Sequence, residues 1–176
     1  MQIPIVMTII SPDRTGLVES IARTVAAHGG NWLESRMCRL GGEFAGILRI
    51  EIPAEKKPAL LAALQKLQQN GLQIVVRADQ PAAISAPGRQ TKLEIVGSDR
   101  PGIVRDITSA LARAGVNVEE FSSEVVSAPM SGETLFKAVA RLQLPDRCDL
   151  AALKTDLEKI AADLLVDVSF AELGKQ

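Results

Sequence analysis

The chain has 176 residues, 47% hydrophobic, 23% charged and only 3% aromatic with no tyrosine, which suits a globular protein whose cores are built from Leu, Ile, Val and Ala. Lys and Arg number 20 against 21 Asp and Glu, so there is no basic excess to neutralise phosphates, and direct nucleic-acid binding is disfavoured. No apolar run approaches the roughly 20 residues that cross a bilayer, and two cysteines, Cys38 and Cys148, lack metal or redox spacing, which points to a reducing, cytoplasmic setting.

The first residues, Met1 to Met7, are apolar without a basic head or a small-residue cleavage site. They read as the start of a strand over 3–10 and not as a signal peptide. Asp13 follows, placed to cap a helix. Leu17, Val18, Ile21 and Val25 form the apolar stripe of that helix. His28-Gly29-Gly30 ends it, because glycine accepts the left-handed conformation that stops a helix. Strands over 32–40 and 43–52 flank Gly41-Gly42, a pair suited to a two-residue hairpin turn. In the second of them Phe44, Leu48, Ile50 and Ile52 share one face, and Arg49 and Glu51 share the other. An antiparallel sheet buried on one side has this pattern. Pro53 stops the strand. A helix from Pro58 carries Leu60, Leu61, Leu64 and Leu67 and ends at Asn70-Gly71, and a strand over 72–77 follows. The order β-α-β-β-α-β predicts an α+β, ferredoxin-like layer with four antiparallel strands and both helices on one face.

Residues 78–90 contain Pro81, Pro87 and Gly88 without periodicity and read as a linker. The pattern then recurs. A strand covers 91–97, and a helix from 101 buries Ile103, Val104, Ile107 and Leu111. Strands cover 116–127 and 133–144. A helix over 149–163 carries Leu150, Leu153, Leu157 and Ile160, and a last strand covers 165–172. Two domains are expected, 1–77 and 91–173. The repeat is also visible residue by residue. Asp13-Arg14-Thr15-Gly16-Leu17-Val18 returns as Asp99-Arg100-Pro101-Gly102-Ile103-Val104, and Gly29-Gly30-Asn31 returns as Gly115-Val116-Asn117. The offsets agree: 99 − 13 = 86 and 117 − 31 = 86. The copies differ most at the hairpin, where Gly41-Gly42 is replaced by the longer Ser127 to Gly132.

The repeated stretch has the chemistry of a small-anion site. A helix start presents unpaired N–H groups and a partial positive charge, so a carboxylate is stabilised there. Gly16 and Gly102 allow close approach. Asp13 and Asp99 can accept from an ammonium group, Arg14 and Arg100 can reach an anion, and Thr15 lies between. Asn31 and Asn117 offer a donor and an acceptor each. Together these suit a free amino acid, which carries both charges. The same residues also serve as caps, turns and packing glycines, and the sequence alone leaves both readings open. No catalytic set emerges. His28 has no partner in sequence, and the acidic pair Glu119-Glu120 is expected on opposite strand faces. Trp32, the single tryptophan, suits either packing or the covering of a ligand.

Asp-Arg-x-Gly-hydrophobic-Val, then an amphipathic helix, then Gly-x-Asn before a strand resembles the opening of an ACT domain. The resemblance covers both halves. Ser11 to Val18 together with His28 to Asn31 is similar to one subgroup, which includes tandem two-domain transcriptional regulators of glycine metabolism. It implies a regulator and not an enzyme, one that senses an amino acid such as glycine and needs no cofactor or metal. The implied partner is a DNA-binding transcriptional activator, with no direct nucleic-acid or membrane contact, and the implied assembly is a homo-oligomer. Ligand contacts carried over from the family are Asp13, Arg14, Thr15, Gly16, Gly29, Gly30 and Asn31. In the second copy they are Asp99, Arg100, Gly102, Gly115 and Asn117. Two departures stand out. Trp32 replaces a smaller aliphatic residue, and Pro101 removes an amide donor. A ligand-free interaction module, or the detached regulatory pair of an amino-acid or one-carbon enzyme, remains the alternative.

Overall fold

Alternating apolar residues hold Gln2–Pro12 in a strand, β1, whose Ile5, Met7 and Ile9 are buried. In the computed structural model, which describes residues 1–69, 71–79, 88–128 and 132–172, the chain divides into two compact units, Met1–Pro81 and Ala82–Gln176. The first continues with α1 (Leu17–Ala27), β2 (Asn31–Leu40), β3 (Glu43–Pro53), α2 (Lys57–Gln68) and β4 (Gln73–Ala78). Its strands lie in the order β2-β3-β1-β4, every neighbour antiparallel. The second unit repeats this with β5 (Gly88–Ser98), α3 (Ile103–Arg113), β6 (Asn117–Ser127), β7 (Thr134–Pro145), α4 (Leu150–Leu164) and β8 (Val166–Glu172), in the order β6-β7-β5-β8. Both are α+β layers of ferredoxin-like topology.

Each core forms where the two helices press their stripes on one sheet face. In the first unit Leu17, Ile21 and Val25 of α1 and Leu60 and Leu64 of α2 meet Ile5, Met7, Ile9, Leu48, Ile50 and Ile52. In the second, Ile103, Ile107, Ala110 and Leu111 of α3 and Leu153, Leu157 and Ala161 of α4 meet Leu93, Ile95, Ala138, Ala140, Leu142 and Leu144. Burying one such side chain contributes about 1.5–3 kcal/mol.

Several details differ from the sequence reading. Val18 and Val104, expected in the stripes, are 43% and 40% exposed. Each follows a buried residue by one position, and a turn of about 100° per residue carries it off the inner face. β5 begins at Gly88, three residues before the expected start, and pairs there with Pro145. Of the expected linker 78–90, Ala78 ends β4 and Gly88 to Gln90 open β5. Residues 80–87 lie outside the described residues, as do Asn70, half of the long hairpin connection (129–131) and the expected end of the second domain at 173. The Gly41-Gly42 turn is as expected, with φ of 59° and 84°, both positive as a type I′ hairpin requires.

Both sheets also carry a β-bulge that sequence spacing does not reveal. Pairing shifts between Trp32 and Glu34 in β2 and between Val118 and Glu120 in β6. The extra residues, Leu33 and Glu119, are again 86 apart. The bulge overturns the expectation for Glu119 and Glu120. Glu120 pairs with Arg141 on the outer sheet face. Glu119 accepts from Gln90, which is in register with Gln143 on that same face. An extra residue interrupts the strict alternation, so both carboxylates face outward.

The units end their second helices differently. Registers Met7↔Val76 and Leu93↔Phe170 align β4 with β8 at an offset of 170 − 76 = 94, so Leu165 stands where the first unit has Gly71. Both are left-handed, Gly71 at φ 83° and Leu165 at φ 56°. A residue with a Cβ is disfavoured there by about 1–2 kcal/mol, and Leu165 is an exposed side chain that gives up little packing. Leu165→Gly is therefore expected to raise the stability of the second unit by about 1 kcal/mol. Urea unfolding of the two proteins tests this, and a loss of stability would contradict the account.

Candidate functional site

The two helix entrances are built alike. A strand delivers the chain to Asp13 or Asp99, and the backbone N–H of each donates to the hairpin side of the sheet: Asp13 to the Gly42 carbonyl at 2.8 Å, Asp99 to the Thr134 carbonyl at 3.0 Å. Three residues later the chain turns through a left-handed glycine, Gly16 at φ 88° and Gly102 at φ 103°. Only a residue without a Cβ takes that conformation cheaply. The glycine carbonyl then accepts the first helical bond, from Ser20 at 2.9 Å and from Asp106 at 2.9 Å.

The glycine, and not the aspartate, is thus the N-cap in both units, and no side chain caps either helix. This corrects the expectation that Asp13 caps α1. The left-handed turn sets the aspartate three residues ahead of the N-cap glycine, outside the position from which a side chain reaches the first-turn amides. By contrast Asp149 is a side-chain cap, accepting from the Ala151 and Ala152 amides at 3.0 Å each. At α1 and α3 the first-turn N–H groups, at the positive end of the helix dipole, donate to no side-chain cap.

The entrances differ in what surrounds them. A Cβ built on Gly16 would meet nothing within 4 Å. Beside it the Asp13 carboxylate is held by the Arg39 Nε at 2.6 Å, while Arg14 and Thr15 are exposed. At the second entrance a Cβ on Gly102 would lie 3.2 Å from an Arg105 guanidinium nitrogen and 3.5 Å from an Asp106 carboxylate oxygen. Arg105 donates to both carboxylate oxygens of Asp106, at 2.7 and 3.1 Å. Those hydrogen bonds hold the Asp106 carboxyl below its ordinary value and raise the guanidinium. Glu19 and Ser20 occupy these positions in the first unit. Arg39 has no counterpart either, since Val125 stands 86 residues on. Pro101, in place of Thr15, has no N–H to offer.

The Gly-x-Asn corners lie elsewhere. Gly29 to Asn31 follow the far end of α1, an 11-residue helix about 16 Å long. Gly115 to Asn117 follow the far end of α3. One small ligand held within a single unit does not touch both ends. The glycines there have a local task. Gly30 N–H donates to the Val25 carbonyl and Gly29 N–H to the Ala26 carbonyl, at 2.9 Å each. Val116 and Gly115 repeat this with Leu111 and Ala112, at 3.0 Å each. This double bond pattern closes a helix around a left-handed residue, and Gly29 and Gly115 supply it at φ 72° and 69°. Gly30 also permits close packing, because a Cβ there would fall 2.7 Å from the Val25 side chain. Asn31 and Asn117 open the following strands with exposed side chains.

Among the other residues noted in sequence, His28 Nδ1 donates to the Thr24 carbonyl at 2.8 Å and so helps end α1. Trp32 is half-buried against the core, and its Nε1 donates to Ser35 Oγ at 3.3 Å. Cys38 is exposed and Cys148 half-buried, both as free thiols. The Arg39 and Arg105 pairings were not legible in sequence. Arg39 is 26 residues from Asp13, and adjacent Arg-Asp residues on a helix give no spacing signal.

Comparison with known proteins places the fold. The ACT domain family model matches residues 4–77 and again 93–171. The UPF0237 protein MK1213 of Methanopyrus kandleri is 35% identical over 75 residues, 42% of this chain and 77% of that protein. Among solved structures, an unknown protein from Galdieria sulphuraria is similar at 29% identity and a TM-score of 0.84, covering 98% of this chain and 99% of its own. A protein assigned as a glycine cleavage system transcriptional repressor shares the fold at 18% identity and a TM-score of 0.67, with 98% and 99% coverage. The chain belongs to the ACT domain family, as a tandem of two such domains.

Proposed function

We propose that this ACT-domain regulatory protein senses a small amino acid, glycine first among those to test, at the helix entrance formed by Asp13, Arg14, Thr15 and Gly16. One observation carries the reading: α1 is entered through a left-handed glycine with no side-chain cap and with open space where its Cβ would be. A carboxylate there meets first-turn amides at the positive end of the helix. The ligand's ammonium group meets the Asp13 carboxylate, in competition with Arg39. Asp99, Arg100 and Gly102 form the related second entrance, where the Arg105–Asp106 pair and Pro101 leave less room and one donor fewer. Gly29, Gly30 and Gly115 support the site by fixing the far helix ends, and Asn31 and Asn117, exposed at the strand starts beyond them, lie outside it. The ligand state then passes to a protein partner, a transcriptional activator, with the chain working as a homo-oligomer and without touching nucleic acid itself. Near-neutral net charge and the fold shared with a protein assigned as a glycine cleavage repressor support that mode.

Calorimetry with glycine and a panel of other amino acids tests the sensing step. Binding at or below about 1 mM is expected, corresponding to roughly 4 kcal/mol. Asp13→Asn, which keeps the shape and removes the charge, is expected to weaken it about tenfold, since a hydrogen bond to a charged group contributes roughly 1.5–3 kcal/mol. Asp99→Asn is expected to weaken it less. No heat across the whole panel would end the sensing claim.

The second entrance has its own signature. A carboxyl lowered in the folded state contributes stability above its unfolded value, about 3.9, and loses it as pH falls through the lowered folded value. A carbon-detected NMR titration of Asp106 is expected to give a midpoint below the ordinary aspartate value. Arg105→Gln should restore the ordinary midpoint. An ordinary midpoint in the unsubstituted chain would refute the pairing.

A further inference from the structure

The two units are copies, so each is a control for the other, and they differ beside the last strand. In the first unit a groove of about 190 Å³ runs between α2 and β4, lined by Leu61, Leu64, Gln65, Gln68, Ile74 and Val76. The strand offset of 94 places Phe170 at the position of Val76. The buried stripes, Leu60 and Leu64 against Leu153 and Leu157, align α2 with α4 at an offset of 153 − 60 = 93. This places Lys154 at the position of Leu61. In the second unit Phe170 packs against the core, and the Lys154 ammonium lies over its ring, 5.5 Å from the centroid. That distance is within the range of a cation–π contact. The second unit thus covers with its own aromatic ring and lysine the place that the first unit leaves as an apolar groove.

We infer that the α2–β4 groove of the first unit is a docking site for an aromatic side chain of a partner polypeptide. The second unit shows which chemistry fits this position on this scaffold: one phenyl ring on the last strand, packed against the core to which Leu153 and Leu157 of the helix belong and covered by Lys154. The first unit keeps the leucines, shortens the strand residue to Val76 and replaces the covering Lys154 with Leu61, so the entering ring meets apolar surface on both sides. Gln65 and Gln68 supply amides at the rim. Gln68 Nε2 already donates to the Ile74 carbonyl at 2.9 Å. That bond occupies an acceptor of the edge strand and favours side-chain insertion over addition of a further strand. The segments 80–87 and 173–176 contain no aromatic residue, so neither can supply the ring. The inference rests on the reading that this regulator acts through a protein partner, but it does not depend on amino-acid sensing at the α1 entrance.

Methyl NMR of the full chain tests it, with N-acetyl-phenylalaninamide as a probe for a residue within a polypeptide. The probe is expected to shift Leu61, Leu64, Ile74 and Val76 saturably, with a dissociation constant of the order of millimolar. N-acetyl-alaninamide should leave them unmoved. Val76→Phe, which copies the second unit, should fill the groove and weaken the probe roughly tenfold or more. Leu61→Lys, a change on the half-buried helix surface, should do the same if Val76→Phe does not fold. Unmoved methyls at about 20 mM probe, or equal shifts in both folded variants, would overturn the proposal. Tighter binding of free phenylalanine than of the capped amide would overturn it in favour of a small-molecule site. A concentration-dependent dimer abolished by either variant would overturn it in favour of a second copy of this chain. Glycine calorimetry is independent of these outcomes, so failure of one reading is distinguishable from failure of the other.

Discussion

Each unit depends on how the chain passes from a strand into its first helix and out again. The helix must lie flat on the sheet to bury Leu17, Ile21 and Val25, or Ile103, Ile107 and Leu111. That requires sharp turns at both ends, and left-handed glycines make them: Gly16 and Gly29 in one unit, Gly102 and Gly115 in the other. With the ends fixed, the stripe meets the inner sheet face and the core closes. The same device leaves the first-turn amides without a side-chain cap. A packing requirement and an uncapped helix start therefore share one residue, and residue type alone does not separate them.

Duplication preserved the backbone devices and released the side chains around them. Strand order recurs, and the left-handed glycines at both ends of the first helix and even the bulge recur at the offset of 86. Around them the units diverge. Asp13 pairs with Arg39 at one entrance, and Arg105 pairs with Asp106 at the other. These pairs are exposed and contribute little stability. Their effect is on which charges a ligand would meet.

Most of the architecture was legible because its signals are local. The Gly41-Gly42 turn, the helix-ending glycines and the one-sided burial of Phe44 to Ile52 follow from residue type and spacing. The misses have physical causes. Val18 and Val104 are apolar yet exposed, because hydrophobicity alone does not say where a stripe ends. Asp13 resembled a cap because aspartate often is one, while the left-handed turn at Gly16 took that position. The bulge has no local marker in the sequence, because only strand pairing shows an interruption of alternation, and strict alternation puts Glu119 and Glu120 on opposite faces.

The sequence by itself determined the duplication, the element order, the ACT resemblance and the two glycine-marked helix starts, since all of these are written in neighbours along the chain. Only the tertiary structure decided which residues surround each start. Arg39 reaches Asp13 by way of the hairpin, and the Gly-x-Asn corner is carried a helix length away from the entrance. The groove beside Val76 and its filled counterpart beside Phe170 also belong to the fold. They arise between a helix and a strand, and the space left there is set by packing in three dimensions.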